Sequence, residues 1–184
     1  MKNIVYIATS LDGYIARKND DTDWLHEIPM IDGEDYGFSK FMDRIDALVM
    51  GRSTYEKVTS AYEKNGEFDE NWAYTKKVFV LSNTLKEVNS QSKGKAEIVS
   101  GSIQEILDKL HKRGFKNLYI DGGKTVQSFL EQNLIDELII TKIPIILGDG
   151  KPLFSPMNSS LKLELIETIS WESGLVQSHY KVIK

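Results

Sequence analysis

Two glycine-bearing junctions carry the residue types that bind anions. Residues 121 to 126 read Asp-Gly-Gly-Lys-Thr-Val and follow the apolar run 117 to 120. Residues 50 to 56 read Met-Gly-Arg-Ser-Thr-Tyr-Glu and follow the run 46 to 49. In each, a strand gives way to a helix through glycine, so a ligand can approach backbone N–H groups at the positive end of the helix dipole. Arg52 adds a fixed cation that can grip a phosphate with two N–H groups. Ser53 and Thr54 add hydroxyls that either cap the helix or bond phosphate oxygens. Leu81, Ser82 and Asn83 form a third polar strand end. Taken singly, each is also an ordinary turn or helix cap. Three on one edge of a parallel sheet exceed what turns require, because ligands collect at the carboxyl ends of such strands.

Other chemistries fit less well. A triphosphate loop ending at Gly123-Lys124-Thr125 needs a glycine at position 118, where the chain has Leu118 inside an apolar run. A Rossmann fingerprint should follow the first strand, and Ser-Leu-Asp-Gly-Tyr-Ile-Ala stands there instead. No cysteine occurs, and His26, His111 and His179 are widely separated, so no metal site is expected. Asp20, Asp21 and Asp23 miss the calcium-loop spacing and read as a solvated loop before Trp24. The formal charge of −4 argues against a nucleic-acid surface. No apolar run reaches membrane-span length, and the absence of cysteine suits a reducing compartment, so a cytoplasmic protein without membrane partners is expected.

The elements that must position these residues follow from the hydrophobic pattern. Runs at 2–9, 46–50, 77–81, 96–99, 117–121 and 135–143 are short, apolar and β-rich, which predicts buried strands. Between them, the pattern predicts helices at roughly 34–44, 102–113 and 125–132. In the second of these, Ser102 and Glu105 suit a capping box and Gly114 suits a C-terminal stop. Alternating strands and helices imply an α/β fold with a mostly parallel central sheet. Residues 161–171 and 175–183 alternate without an intervening helix and predict an antiparallel C-terminal hairpin. With 184 residues, 41% of them hydrophobic, and no linker, one domain over residues 1–184 is expected.

In order along nearly the whole chain, the segments SLDGYIA, MGRSTYE, VLSN, DGGKTVQSFL and IITKIPIILGDGKPLF resemble the dihydrofolate-reductase-like superfamily. Within it, the first and last resemble the RibD C-terminal domain, the reductase half of the riboflavin-pathway deaminase-reductase. The resemblance implies NADPH as cofactor. Gly51, Arg52, Ser53 and Thr54 would hold its phosphates, with Arg52, Ser82 and Asn83 at the 2′-phosphate beside Leu81. Gly122, Gly123, Lys124, Thr125 and Val126 would hold the pyrophosphate, and Ala8 and Ile15 would flank the nicotinamide.

It implies hydride transfer to a pyrimidine or pteridine-type substrate, foremost 5-amino-6-(5-phosphoribosylamino)uracil, with dihydrofolate reduction or an unassigned stand-alone reduction as alternatives. A non-catalytic NADPH-binding protein is the reading of another class. No zinc-ligand cysteines precede the first strand, so a stand-alone reductase is expected. Asp35, sixteen positions before Gly51, and Thr141 match the family's substrate-anchoring pair; a buried Asp35 carboxylate would have a raised pKa, whereas the residue-level alternative is a helix-start acid. Trp24 and Phe38 could line a pocket for a flat heterocycle, or be core. Residues 56–72 lack the family's aspartate-proline-leucine-arginine segment, leaving Arg17, Lys18, Lys40 or Arg44 as candidates for a substrate phosphate. The IPIILG segment and the C-terminal strands suggest a homodimer.

Overall fold

The computed structural model describes residues 1–27, 31–65, 75–92 and 94–184; residues 66–72, the later part of the stretch compared above with the family's aspartate-proline-leucine-arginine segment and including Trp72, lie outside them. Ten strands and four α-helices alternate along the described chain: β1 Lys2–Thr9, β2 Tyr14–Ala16, α1 Phe38–Asp43, β3 Ala47–Gly51, α2 Arg52–Asn65, β4 Lys77–Leu81, β5 Ala96–Val99, α3 Ile103–Lys112, β6 Asn117–Asp121, α4 Gly123–Glu131, β7 Glu137–Lys142, β8 Lys151–Pro152, β9 Lys162–Ser170 and β10 Val176–Ile183. Eight of the strands form one sheet in the order β5-β4-β3-β6-β1-β7-β10-β9. The first six in that order run parallel, and β10 and β9 run antiparallel at the far edge. β2 pairs with β8 in a separate two-stranded sheet, which the sequence pattern did not predict.

The central strands read as unbroken apolar runs because both of their faces are covered. Val5, Val49, Phe79, Leu118 and Ile120 point to one side, against Leu107 and Leu110 of α3 and Val126 and Phe129 of α4. Ile4, Leu48, Met50, Val78 and Ile139 point to the other, against Phe41 and Met42 of α1 and Tyr55 of α2. Side chains alternate between faces at period two, so one strand serves both layers.

Local chemistry explains the helix boundaries. At α3 the Ser102 side chain accepts from Glu105 N–H and Glu105 Oε2 accepts from Ser102 N–H, which completes the expected capping box. Gly114, at φ 94°, takes the left-handed conformation that stops the helix. α1 is shorter than the pattern predicts: it begins at Phe38, because Gly37 precedes it at φ 83° and Tyr36 is also left-handed. Two successive positive φ values end any helical path from Glu34.

Near the amino ends of β1 and β7, Glu137 gathers three donors: Lys2 Nζ at 2.6 Å, Arg44 NH2 at 2.7 Å and His179 Nε2 at 2.9 Å. Its side chain is 5% exposed. Burial alone would raise the carboxyl pKa, but the hydrogen bonds from Lys2, Arg44 and His179 outweigh it and hold it at about 2. This cluster locks β10 and α1 to the start of the sheet, opposite the carboxyl edge.

Candidate functional site

The carboxyl ends of β4, β3, β6, β1 and β7 are neighbours in the sheet and all face one edge. At roughly 4.8 Å per strand, this edge runs about 14 Å from Ser82, after β4, to Ala8 on β1. That suits a ligand laid across several strands.

Its middle is an interlocked pair of glycine-threonine contacts. A Cβ on Gly51 would lie 3.0 Å from Thr125 Oγ1 of α4, and one on Gly122 would overlap Thr54 Oγ1 of α2. Each strand end therefore accommodates the threonine of the neighbouring helix. At Gly122 only glycine permits that approach, and its φ of 90° adds a second requirement for glycine. Gly123 is packed equally closely, since a Cβ there would overlap Ile15 Cδ1. Ile15, on β2, thereby lies over the start of α4. The first rung of that helix is Val126 N–H to Gly122 O at 2.9 Å, which leaves the N–H groups of Gly123, Lys124 and Thr125 without intrahelical acceptors. Gly122 N–H itself is engaged by Asp121 Oδ1 at 2.7 Å.

Arg52 lies beside this cradle at the start of α2. Its Nε donates to Glu56 Oε1 at 2.6 Å and its NH1 to Thr84 Oγ1 at 3.2 Å. These contacts hold the guanidinium against the loop after β4 and use only part of its five-donor fork. Ser53 is exposed and Thr54 half-buried. The Ser82 hydroxyl is already committed, accepting from Thr84 and Leu85 N–H at 3.2 and 2.9 Å. It shapes the turn, while Asn83 and Lys124 are exposed and Leu81 packs on the core.

At the other end of the edge, Ala8, Thr141 and Gln177 are Cα partners across β1, β7 and β10. Paired residues on neighbouring strands share a face, so the three side chains form one row. Gln177 Nε2 donates to Thr141 Oγ1 at 3.0 Å, to Tyr6 Oη at 3.1 Å and to Tyr36 O at 3.3 Å. Tyr6 O–H in turn donates to Tyr36 O at 2.8 Å. Burial, and then the nearby Asp35 and Glu34 carboxylates, push the Tyr6 pKa above the usual phenol value. Phe38 and Tyr36 border this face: Phe38 meets Tyr6 edge-on at 5.7 Å, and Tyr36 meets Trp171 at 5.2 Å.

Three expectations are corrected. Asp35 is exposed rather than buried. Its carboxylate accepts from Gly37 N–H at 2.9 Å and Ser39 N–H at 2.8 Å, and the bonds from Ser39 lead those that lower its pKa below the usual carboxylate value, where a rise was expected. It stands as a helix-start acid. Thr141 meets Gln177 and not Asp35. Trp24 is fully buried among Tyr36, Ile143 and Leu175 and so belongs to the core. Of the candidate phosphate cations, Arg17 pairs with Asp23 and Glu27, Lys18 with Asp149 and Arg44 with Glu137. Lys40 alone of the four has no ion pair among the described residues.

Sequence reading missed Gln177 and Asp12. Gln177 carried one signal: an uncharged polar residue inside an alternating strand, at the inward position. Asp12 pins the turn after β1 to the loop after β7, accepting from Ser10 Oγ at 2.6 Å, Leu147 N–H at 3.2 Å and Gly148 N–H at 2.8 Å. The bond from Ser10 leads those that lower its pKa.

A mostly parallel sheet with interlocked glycine-threonine junctions midway along its carboxyl edge, extended by an antiparallel hairpin, defines an α/β protein of the dihydrofolate-reductase-like fold. The chain belongs to the RibD C-terminal domain family, a family of reductase domains, whose sequence model matches residues 2–176. It is 32% identical over 183 residues to the uncharacterised protein YyaP of Bacillus subtilis, covering 96% of this chain and 93% of that one. A solved structure from Shewanella sp. PV-4, described provisionally as a riboflavin biosynthesis protein, superposes over 100% of both chains with a TM-score of 0.91 at 47% identity. Dihydrofolate reductase from Enterococcus faecalis, solved with NADP(H), shares the fold at a TM-score of 0.62 and 17% identity, over 100% of this chain and 97% of that one. No helix among the described residues is long and apolar enough to cross a membrane.

Proposed function

We propose that this chain is an NADPH-dependent reductase of a pyrimidine or pteridine-type heterocycle, in the manner of a 5-amino-6-(5-phosphoribosylamino)uracil reductase. The observation that carries the reading is the interlocked cradle, in which Gly122 admits Thr54 where a Cβ would overlap it and Gly51 meets Thr125 where a Cβ would make a tight contact. Side-chain-free strand ends meeting two helix N-termini suit a pyrophosphate. The cofactor supplies a hydride when bound, which neither Ala8 nor Thr141 could provide. The remaining work falls to the chain. The free N–H groups of Gly123, Lys124 and Thr125 hold phosphate oxygens that side-chain-free Gly122 lets approach, Arg52 neutralises a 2′-phosphate near the loop after β4, and Ile15 and Ala8 present apolar surface to a flat ring.

Asp35 and Glu34, the carboxylates bordering the substrate side among the described residues, are spent on backbone N–H groups. Proton delivery by solvent fits this arrangement better than delivery by Asp35. Asp35→Asn should therefore leave turnover within a few-fold of wild type, and a loss of a hundredfold or more would restore Asp35 as the acid. Titration with NADPH, followed by quenching of Trp24 and Trp171 fluorescence and by thermal protection, tests the cofactor assignment. A protein without that binding is not a nicotinamide reductase. NADPH oxidation in the presence of the ribosylaminouracil separates an enzyme from a non-catalytic NADPH-binding protein.

A further inference from the structure

The Ala8–Thr141–Gln177 row also bears on which heterocycle the site takes, an inference that rests on the reductase reading above. Tyr36 O can only accept, and Tyr6 O–H already donates to it. The side of Gln177 that faces this cluster must therefore be its NH2 group. The NH2 group is thereby consumed by Thr141, Tyr6 and Tyr36. Oε1 is turned away from them and has no protein partner among the described residues. Thr141 Oγ1 accepts from Gln177, so its own O–H remains to donate. The row thus presents one donor, Thr141 O–H, beside one acceptor, Gln177 Oε1, on adjacent strands.

The charges nearby do not alter this pattern. Glu34 Oε1 accepts from Tyr36 N–H at 2.8 Å and Asp35 accepts from Gly37 and Ser39 N–H. A ring seated on the row meets a neutral amide and a hydroxyl, not an anion. Adjacent donor and acceptor complement a ring edge in which C=O stands next to N–H, as in a cyclic imide or lactam. They mismatch an amidine edge, whose amino group and ring nitrogen both become donors on protonation and call for a carboxylate. Gln177 is two strand spacings from Ala8, roughly 10 Å, so an edge held there leaves the ring extending back toward the apolar seat at Ala8.

We infer that Thr141 and Gln177 read the neutral imide edge of a uracil-type substrate and discriminate against diaminopteridine-type rings.

The test measures dissociation constants, by fluorescence quenching in saturating NADPH, for 5-amino-6-(ribitylamino)uracil and for 2,4-diaminopteridine. Wild type should prefer the uracil by tenfold or more. Gln177→Met and Thr141→Val should each weaken the uracil about tenfold while NADPH affinity stays unchanged, and Gln177→Glu should reverse the preference. A loss of packing alone would not produce that reversal. If Gln177→Glu does not fold, the Gln177→Met and Thr141→Val pair decides. An unchanged ratio in the folded variants overturns the inference, as does a wild type that binds NADPH but neither ring. A wild type that fails to bind NADPH rejects the reductase reading itself.

Discussion

At the scale of single residues, the site depends on side chains that are missing as much as on those present. Gly122 combines a φ of 90° with a position where a Cβ would overlap Thr54 Oγ1. Gly122→Ala should therefore cost roughly 2 kcal/mol or more, from backbone strain and overpacking together. Denaturant unfolding checks the value, and loss of less than about 0.5 kcal/mol would mean that the turn relaxes freely. Gly51 has no positive φ, and its Cβ would meet only Thr125 Oγ1 at 3.0 Å, so Gly51→Ala should cost less. Arg52→Ala should weaken NADPH at least tenfold while changing NADH little, because only NADPH carries a 2′-phosphate; equal losses would assign Arg52 to the pyrophosphate or to the fold. The cradle was legible in the sequence because Gly51, Arg52, Thr54, Gly122 and Thr125 stand at recognisable strand-to-helix junctions. The reciprocal packing of Thr54 against Gly122 was not, because it joins elements 68 residues apart. Asp35 misled for a related reason. Its spacing to Gly51 matches a family pattern, yet left-handed Tyr36 and Gly37 break the helix and turn its carboxylate onto Gly37 and Ser39.

At the scale of elements, parallel strands covered on both faces and a capped α3 follow from local pattern, and the strand limits at Lys2–Thr9, Lys77–Leu81, Ala96–Val99 and Asn117–Asp121 match those read from the apolar runs. The small β2–β8 sheet escaped that reading because a strand of two or three residues has no period to detect. Glu137 shows how elements are tied at the opposite edge. Its folded pKa of about 2 lies below its ordinary 4.5, so its contribution to stability is fully present above pH 4.5 and is lost as pH falls toward 2. Lys2 and Arg44 are partly exposed, so solvent screening reduces that contribution to the order of 1–2 kcal/mol. Melting temperature against pH should fall across that window in wild type and be flatter in Glu137→Gln. At neutral pH the same variant should be less stable, because Lys2 and Arg44 lose their partner. Parallel acid limbs for the two proteins would show that other carboxylates dominate.

At the scale of the whole molecule, β9 ends the sheet with every residue exposed, and Leu163, Leu165, Ile166 and Ile169 are among the exposed apolar side chains. A β-bulge interrupts its pairing with β10 near Ile166, which blunts continuous strand addition. A second copy of the chain packed on this hairpin would cover the apolar side chains, and we propose a homodimer on that ground. Sedimentation or light scattering should give a dimer, and Leu165→Glu should give a folded monomer that still binds NADPH; a wild-type monomer at micromolar concentration refutes it. The account as a whole stands on the carboxyl edge of the sheet being a cofactor edge. Titration of the wild-type chain with NADPH and NADH, read by tryptophan fluorescence, tests that most directly. Saturable binding that favours NADPH, and that is weakened in Gly122→Ala protein shown to be folded, is the predicted result. No quenching and no thermal protection by either nucleotide would contradict it.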